Sequence, residues 1–412
     1  MICLTFPLAN ISVEKAKLSL IAFDGEGFLS QVADLRQSPL EKRNYMPELM
    51  KDRYYNYNTI HELAMCINAV YPTFRADDFI ANIMDETWDA LELKARMRRI
   101  TINLGKYLPH DYEHALGILD KAIAGYPVGI VDSGLLYFPD FVEMYGQDER
   151  HWDLSMAALE RYTRYSTAEF AVRPFIIKHE ARMIAQMTAW TEHDNEHVRR
   201  LASEGCRPAL PWGQALTSFK KDPSPVLQIL ERLKADPSLY VRKSVANNLN
   251  DISKTHPDLI AELARDWYGK NEHTDWIVKH GCRTLLKKGN RAVLDIFGFS
   301  DVDCVNVVNF SLDAASVCVG EDMTFSFQIE TKKETKVRLE YGIDYVRANG
   351  RRSRKIFKIS ELLLRENEKK SYRKTHSFVD VSSRKHYPGI HSVTLIVNGV
   401  EWDTLNFKLS TL

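Results

Sequence analysis

From about residue 57 to 300, apolar residues recur at three- and four-residue steps between short polar or proline-bearing breaks, as in ALELKARMRRITINLGKYL and HALGILDKAIAGYP. That spacing gathers apolar side chains on one face of each helix, so this part is predicted to be nearly all helix. After LDIFGFSDVD the period shortens to two, in VNVVNFSL, MTFSFQIET, KVRLEYGIDYV, RKIFKIS, YRKTHSFVDV, HSVTLIV and VEWDTLNFKL. Alternation of this kind sends successive side chains to opposite faces of a sheet. Seven or so short strands separated by polar turns predict an immunoglobulin-like sandwich, and Asn398-Gly399 between the last two runs is a type I′ hairpin signal.

Within the helical part a degenerate repeat emerges when AEFAVRPFI, NEHVRRLASEG, LYVRKSVANNLND and DWIVKHGCRTLL are aligned on a valine followed by a basic residue. The valines stand at 172, 198, 241 and 278, and the two later steps, 43 and 37, suit the paired helices of HEAT-type arrays. Such units stack into a curved solenoid with one concave face. The alignment puts Arg200, Lys243 and His280 in register, with Glu204, Asn247 and Thr284 four residues later and Asp251 one turn beyond Asn247. Residues four apart share a helix face, so these columns form adjacent polar stripes. A basic stripe edged with carboxylates suits a phosphate backbone and a cation together, and the same spacing equally suits a solvated face laced with intrahelical ion pairs.

The expected organisation is therefore mainly α: an N-terminal extension over 1–45, a HEAT-like helical-repeat domain over 46–300, and an all-β sandwich over 303–412. Met46 stands just before clear periodicity and is a candidate true start. At 412 residues the chain has room for two cores. Lysine plus arginine equals aspartate plus glutamate at 55 each, so total charge announces no polyanion partner. Distribution says more: 18 basic face 14 acidic residues from 303 onward, which makes the tail positive and the helical part negative.

No apolar run approaches the roughly 20 residues of a membrane span, and MICLTFPLANIS lacks the basic flank and cleavage pattern of a secretory signal, so a cytoplasmic protein is expected. The six cysteines include no CxxC pair and read as mostly buried thiols. His110 with His114, and His193 with His197, have the spacing of a helical metal pair but no HExxH context or third ligand, so no metal is expected. No P-loop and no GxGxxG after a strand is present, and no nucleotide cofactor is expected.

The stretch RPFIIKHEARMIAQMTAWTEHDNEHVRRLASEGCRPALPWG resembles the AlkC family of bacterial DNA glycosylases, and ALELKARMRRI resembles that family's early helices. The likeness covers roughly 46 to 300, and the β tail is similar to the immunoglobulin-like extension of one branch of the family. The resemblance implies hydrolysis of the N-glycosidic bond of cationic alkylated bases, chiefly N3-methylcytosine and N3-methyladenine, in duplex DNA. It implies no cofactor, no obligate protein partner, and a base left largely in the duplex instead of flipped into a pocket.

By motif the resemblance puts the family's carboxylates on Glu169, Glu204 and Asp251, the lesion-abutting aromatic on Trp212, and a phosphate clamp on Arg200 aided by Arg199 and Lys243. Arg173 and Asn247 are further expected DNA contacts, as are Arg351, Arg352 and Arg354 in the tail's NGRRSRK loop. Local pattern offers plainer roles for each. Glu169 follows Ser166 at capping-box spacing, Glu204 is placed for ion pairs with Arg200 and Arg207, Asp251 suits a helix end, and Trp212 suits a loop staple. The alternative function is a DNA-binding HEAT-repeat scaffold that does not cleave.

Overall fold

The computed structural model describes residues 49–126, 133–299, 302–381 and 384–411; the expected extension over 1–45 lies outside them. Seventeen α-helices occur among the described residues: α1 Met50–Tyr54, α2 Tyr57–Val70, α3 Ala76–Ile83, α4 Leu93–Tyr107, α5 Tyr112–Ile123, α6 Tyr137–Tyr145, α7 Trp152–Tyr162, α8 Val172–Lys178, α9 Glu180–Trp190, α10 Glu196–Gly205, α11 Thr217–Lys221, α12 Ser224–Leu233, α13 Leu239–Ile252, α14 Pro257–Trp267, α15 Glu272–Gly281, α16 Arg283–Lys287 and α17 Arg291–Ile296. Eight strands follow: β1 Val305–Leu312, β2 Ser316–Cys318, β3 Asp322–Thr331, β4 Thr335–Val346, β5 Arg352–Leu364, β6 Lys369–Ser377, β7 Gly389–Val397 and β8 Val400–Ser410. By compactness the chain divides between Asn248 and Leu249.

In the first unit α2 packs on α3 and α5, α4 on α6, and α9 on α8, α10 and α12. The periodic apolar positions do this work: Ile60, Leu63 and Ile67 of α2 and Met97, Ile100 and Leu104 of α4 are all buried. Helix starts follow local chemistry. Asn56, Asp111 and Asn195 each accept a backbone N–H from the first turn that follows, filling donors an isolated helix leaves open.

In the second unit helices α14 to α17 share a compact body with the β-sandwich. The strands form a three-stranded sheet ordered β1-β3-β6 and a five-stranded sheet ordered β2-β8-β7-β4-β5. Alternate residues of both, among them Phe325, Phe327, Leu339, Ile343, Val393 and Leu395, fill one core. The Asn398-Gly399 turn carries φ values of 47° and 75°, the left-handed pair that a type I′ hairpin needs. Beyond the alternation the structure adds β2, three residues paired in parallel with β8.

One feature inverts the usual reading of a strand. Arg338 and Glu340 occupy the polar, outward-facing positions of β4, yet both are buried. Helix α15 reaches that face: Lys279 lies 2.5 Å from Glu361 of β5, which pairs with Arg338, and Arg338 in turn bonds Glu340 at 2.6 Å.

Inside the sandwich His376 of β6 sits between two phenols, Nδ1 2.9 Å from the Tyr341 hydroxyl and Nε2 2.7 Å from that of Tyr345. Burial pushes its imidazole down to about 4, helped by Arg384, His386 and Lys355 and opposed by Asp322. The folded state therefore holds it neutral, while an unfolded chain protonates near pH 6.5. Its contribution to stability is complete above that pH and is lost as pH falls through 6.5 towards 4, by about 3 kcal/mol in all. Urea unfolding of the full chain at pH 7 and 4.5 should show this loss, and His376→Gln should reduce it; an unchanged pH dependence in the variant would assign the loss to other groups.

Candidate active site

The site begins with two segments of the first unit. One is the turn between α7 and α8, where Ser166, Thr167, Ala168 and Glu169 are all buried. The other is α10, whose Val198, Leu201 and Ala202 anchor it in the core while Arg200 and Glu204 lie one turn apart. Gly205 permits close packing at the end of α10, since a Cβ there would stand 2.6 Å from Val172 Cγ2.

These segments bring Glu169, Arg200 and Glu204 together. Arg200 Nη1 lies 2.5 Å from Glu169 Oε2, and its Nη2 lies 3.5 Å from Glu204 Oε1. Arg207 adds a 2.5 Å contact to the same Glu204 oxygen. The Thr167 hydroxyl donates to Glu169 Oε2 and accepts from Arg200 Nη1, both at 2.9 Å. Above the guanidinium lies Tyr240 of α13, 5.1 Å from its ring centroid. All four charged side chains are less than one-tenth exposed.

The electrostatics follow from that enclosure. Burial alone would drive the Glu204 carboxyl up, but Arg200 and Arg207, with hydrogen bonds from Ser244 and Arg207, hold it below the usual carboxylate range. The arrangement keeps a carboxylate ionised where water is scarce, so its field is weakly screened. Such a cluster can present fixed negative charge to a developing cation and can accept a proton from a nearby water.

Several expected residues stand where their local chemistry, more than a DNA role, explains them. Arg200, the expected phosphate clamp, is a spacer between two carboxylates. Arg173 is 1% exposed and donates to three backbone carbonyls, Gln214 at 2.5 Å, Gly205 at 2.9 Å and Arg207 at 3.0 Å. It therefore frames the loop that carries Trp212. Arg199 gives its guanidinium to Asp236 at 2.7 Å and to the His193 and Asp194 carbonyls. Asp251 is buried near the end of α13 and pairs with Lys254 at 2.9 Å, with Asn247 and Lys243 half-buried one and two turns earlier on the same helix. The capping role that Glu169's spacing allowed is not formed, because α8 starts from Ala171 without a side-chain cap.

In the tail, Arg351 and Arg352 are exposed, the latter donating to the Ile390 carbonyl at 2.7 Å. Arg354 instead bridges Asp344 and Glu401. His193 accepts the Asn195 N–H at 2.9 Å and lies 3.2 Å from Glu160, and His197 packs edge-on to Tyr240. Among the described residues no group of three or more His, Cys, Asp or Glu side chains is arranged to hold a metal, and no helix is long and apolar enough to cross a membrane.

Trp212 is 62% exposed and φ is 60° there. The Gly213 N–H donates to the Leu210 carbonyl at 3.1 Å, which closes a turn with Pro211 and Trp212 at its centre. Proline at the second position and positive φ at the third define a type II turn, whose third position favours glycine. The turn holds a tryptophan there against that preference and leaves the side chain mostly exposed.

Sequence reasoning missed Thr167, Tyr240, Lys94 and Asp140. Thr167 lies inside the Ser166–Glu169 capping-box spacing but is not one of its two partners. Asp140 of α6 shares a small recess with Thr167, Phe170 and Met97, and burial pushes its carboxyl up to about 6 although Arg98 stands 2.9 Å away.

Comparisons with known proteins converge on one family. Residues 142–285 match the family model described as DNA alkylation repair enzyme, and residues 306–411 match that of the YhaZ C-terminal Ig-like domain. The chain is 50% identical over 355 residues to the protein YhaZ of Bacillus subtilis (strain 168), covering 86% of this chain and 98% of the relative. Its fold is similar to that of the alkylpurine DNA glycosylase AlkC of Pseudomonas fluorescens, solved bound to DNA containing an abasic site analog. The TM-score is 0.84 and the identity 37%, over 88% of this chain and all of the other.

Proposed function

The chain belongs to the AlkC family of DNA alkylation-repair glycosylases, and from that premise we propose that it hydrolyses the N-glycosidic bond of cationic alkylated bases, N3-methylcytosine and N3-methyladenine, in duplex DNA. The observation that carries the proposal is the buried pair Glu169 and Glu204 held on one guanidinium. A methylated base already bears positive charge, so its departure is neutralising and no acid is needed to assist it. What rises instead is positive charge on the deoxyribose as the bond stretches, the same electronic problem that paired carboxylates meet in glycoside hydrolysis.

In this reading Glu169 and Glu204 stabilise the sugar cation and orient the attacking water, and Asp251 is a supporting anion. Trp212 packs beside the lesion. Lys243 and Asn247 on α13, with Arg351 and Arg352 in the tail, contact the DNA backbone, while Arg173 and Arg199 support the site from within. Cytoplasmic localisation and duplex DNA as the partner accompany the proposal.

A second reading is favoured by the charge balance of the cluster. Two glutamates matched by Arg200 and Arg207 would also suit a purely structural ion cluster in a DNA-binding scaffold. Incubating the protein with methylated duplex DNA in EDTA separates the two: release of free N3-methylated bases with intact strands supports hydrolysis, and tight binding without release of any base supports the scaffold.

A further inference from the structure

We propose that Lys94 is a positioning residue that sets the Trp212 side chain against the Glu169 segment. The inference rests on the functional reading above and concerns a residue to which that reading gives no role. The lysine ammonium donates to the Trp212 carbonyl at 2.8 Å. It also lies 4.6 Å from the centroid of the Phe170 ring, and Phe170 is the residue next to Glu169. Lys94 itself stands in the first turn of α4, so one side chain joins three separate stretches of chain.

The turn at Leu210–Gly213 explains why such a tie is useful. Positive φ at a non-glycine residue persists only where surrounding contacts over-determine it. Arg173 fixes the base of the loop through the Gly205, Arg207 and Gln214 carbonyls. Gly213 leaves little slack on the inner side, since a Cβ there would stand 3.2 Å from Leu210 Cβ and 3.3 Å from Arg173 Nε. The carbonyl at the tip takes its hydrogen bond from Lys94. Beneath it Leu93, Met97, Leu136, Phe170 and Trp212 line an apolar recess, which the stem of Lys94 also borders. The lysine thereby fixes the spacing between the exposed aromatic and the buried carboxylates.

A surface lysine on a DNA-binding protein has an obvious competing role as a phosphate contact, and the experiment separates the two. Single-turnover base release and duplex affinity are measured for Lys94→Met, which keeps the stem and removes the charge, in the natural chain and in a Trp212→Ala background. Acting through Trp212, Lys94→Met should slow release about 10-fold in the natural chain and less than about 2-fold in the Trp212→Ala background, because effects routed through one side chain are not additive. Lys94→Arg, which can still donate to the carbonyl and stack on Phe170, should restore most of the rate.

Equal fold-losses in both backgrounds would overturn the proposal. So would a fall of about one unit in the salt slope of binding, the mark of a lost phosphate contact. If the natural chain releases no base, the hydrolytic reading fails by itself, and the same double-mutant comparison is read on the preference for abasic over intact duplex. There the positioning role predicts that Lys94→Met lowers the preference only while Trp212 is present.

Discussion

Replacing Glu204 with glutamine is expected to slow release of a cationic methylated base by about 10²–10³-fold while leaving duplex affinity within a few-fold, and Glu169→Gln should do the same. Both substitutions keep volume and some hydrogen bonding but remove charge. If the carboxylates matter because positive charge grows on the sugar, the loss must fall on the chemical step and spare ground-state binding. Each glutamine keeps an amide oxygen that can accept from the neighbouring guanidinium, so folding should be preserved well enough to measure. Single-turnover kinetics at saturating enzyme would report the rate directly. A loss confined to affinity, with the release rate unchanged, would reassign both residues to a structural ion cluster.

The pH profile adds a check on Glu204. Because Arg200 and Arg207 hold its carboxyl below the usual range, it stays ionised throughout the neutral region and protonates only as pH falls below about 4.5. Its contribution to release should be flat from pH 8 down through the usual carboxylate range and be lost only in stronger acid.

The second large effect concerns stability. Arg200→Ala should destabilise the helical unit by about 3–5 kcal/mol at pH 8, a fall in Tm on the order of 10 °C, because it takes the guanidinium from the buried Glu169 carboxylate and leaves Glu204 with Arg207 alone. Without the guanidinium the Glu204 carboxyl loses the largest influence that holds its pKa down, and that pKa rises. Acid then costs the variant less stability than it costs the natural chain, so its deficit should shrink as pH falls from 8. Arg200→Lys keeps a charge but not the planar fork that reaches both glutamates, and should fall between. Thermal unfolding at pH 8 and in acid tests this; a Tm within 2 °C of the natural chain at both would show a solvated pair of little consequence.

How much of this was legible beforehand varies with sequence distance. The four-residue step from Arg200 to Glu204 is readable in HVRRLASEG, because helical geometry alone puts the two on one face. The β-strands were readable for the same reason, from a period of two. Partners such as Thr167 with Arg200, or Lys94 with Trp212, are 33 and 118 residues apart, and no local period encodes them. The arginines show a different limit. Arg173 and Arg200 read as surface cations by type, but tertiary packing made one a loop frame and the other a spacer between carboxylates. Likewise Arg338 and Glu340 alternate like solvent-facing strand residues, yet both are buried in an ion network that extends through Glu361 to Lys279 of α15. The family resemblance supplied what pattern did not, by drawing attention to Glu169 in a segment whose own spacing suggested a helix cap.

The central claim is that the Glu169–Arg200–Glu204 cluster favours a positively charged sugar. It is tested most directly by affinities for two duplexes that differ only in whether the abasic ring is a neutral tetrahydrofuran or a cationic pyrrolidine. The natural chain should bind the cationic ring more tightly by at least about 10-fold, as expected of a transition-state mimic, and Glu204→Gln should abolish most of that preference. Equal affinity for the two rings, or a preference untouched by the substitution, would contradict the account.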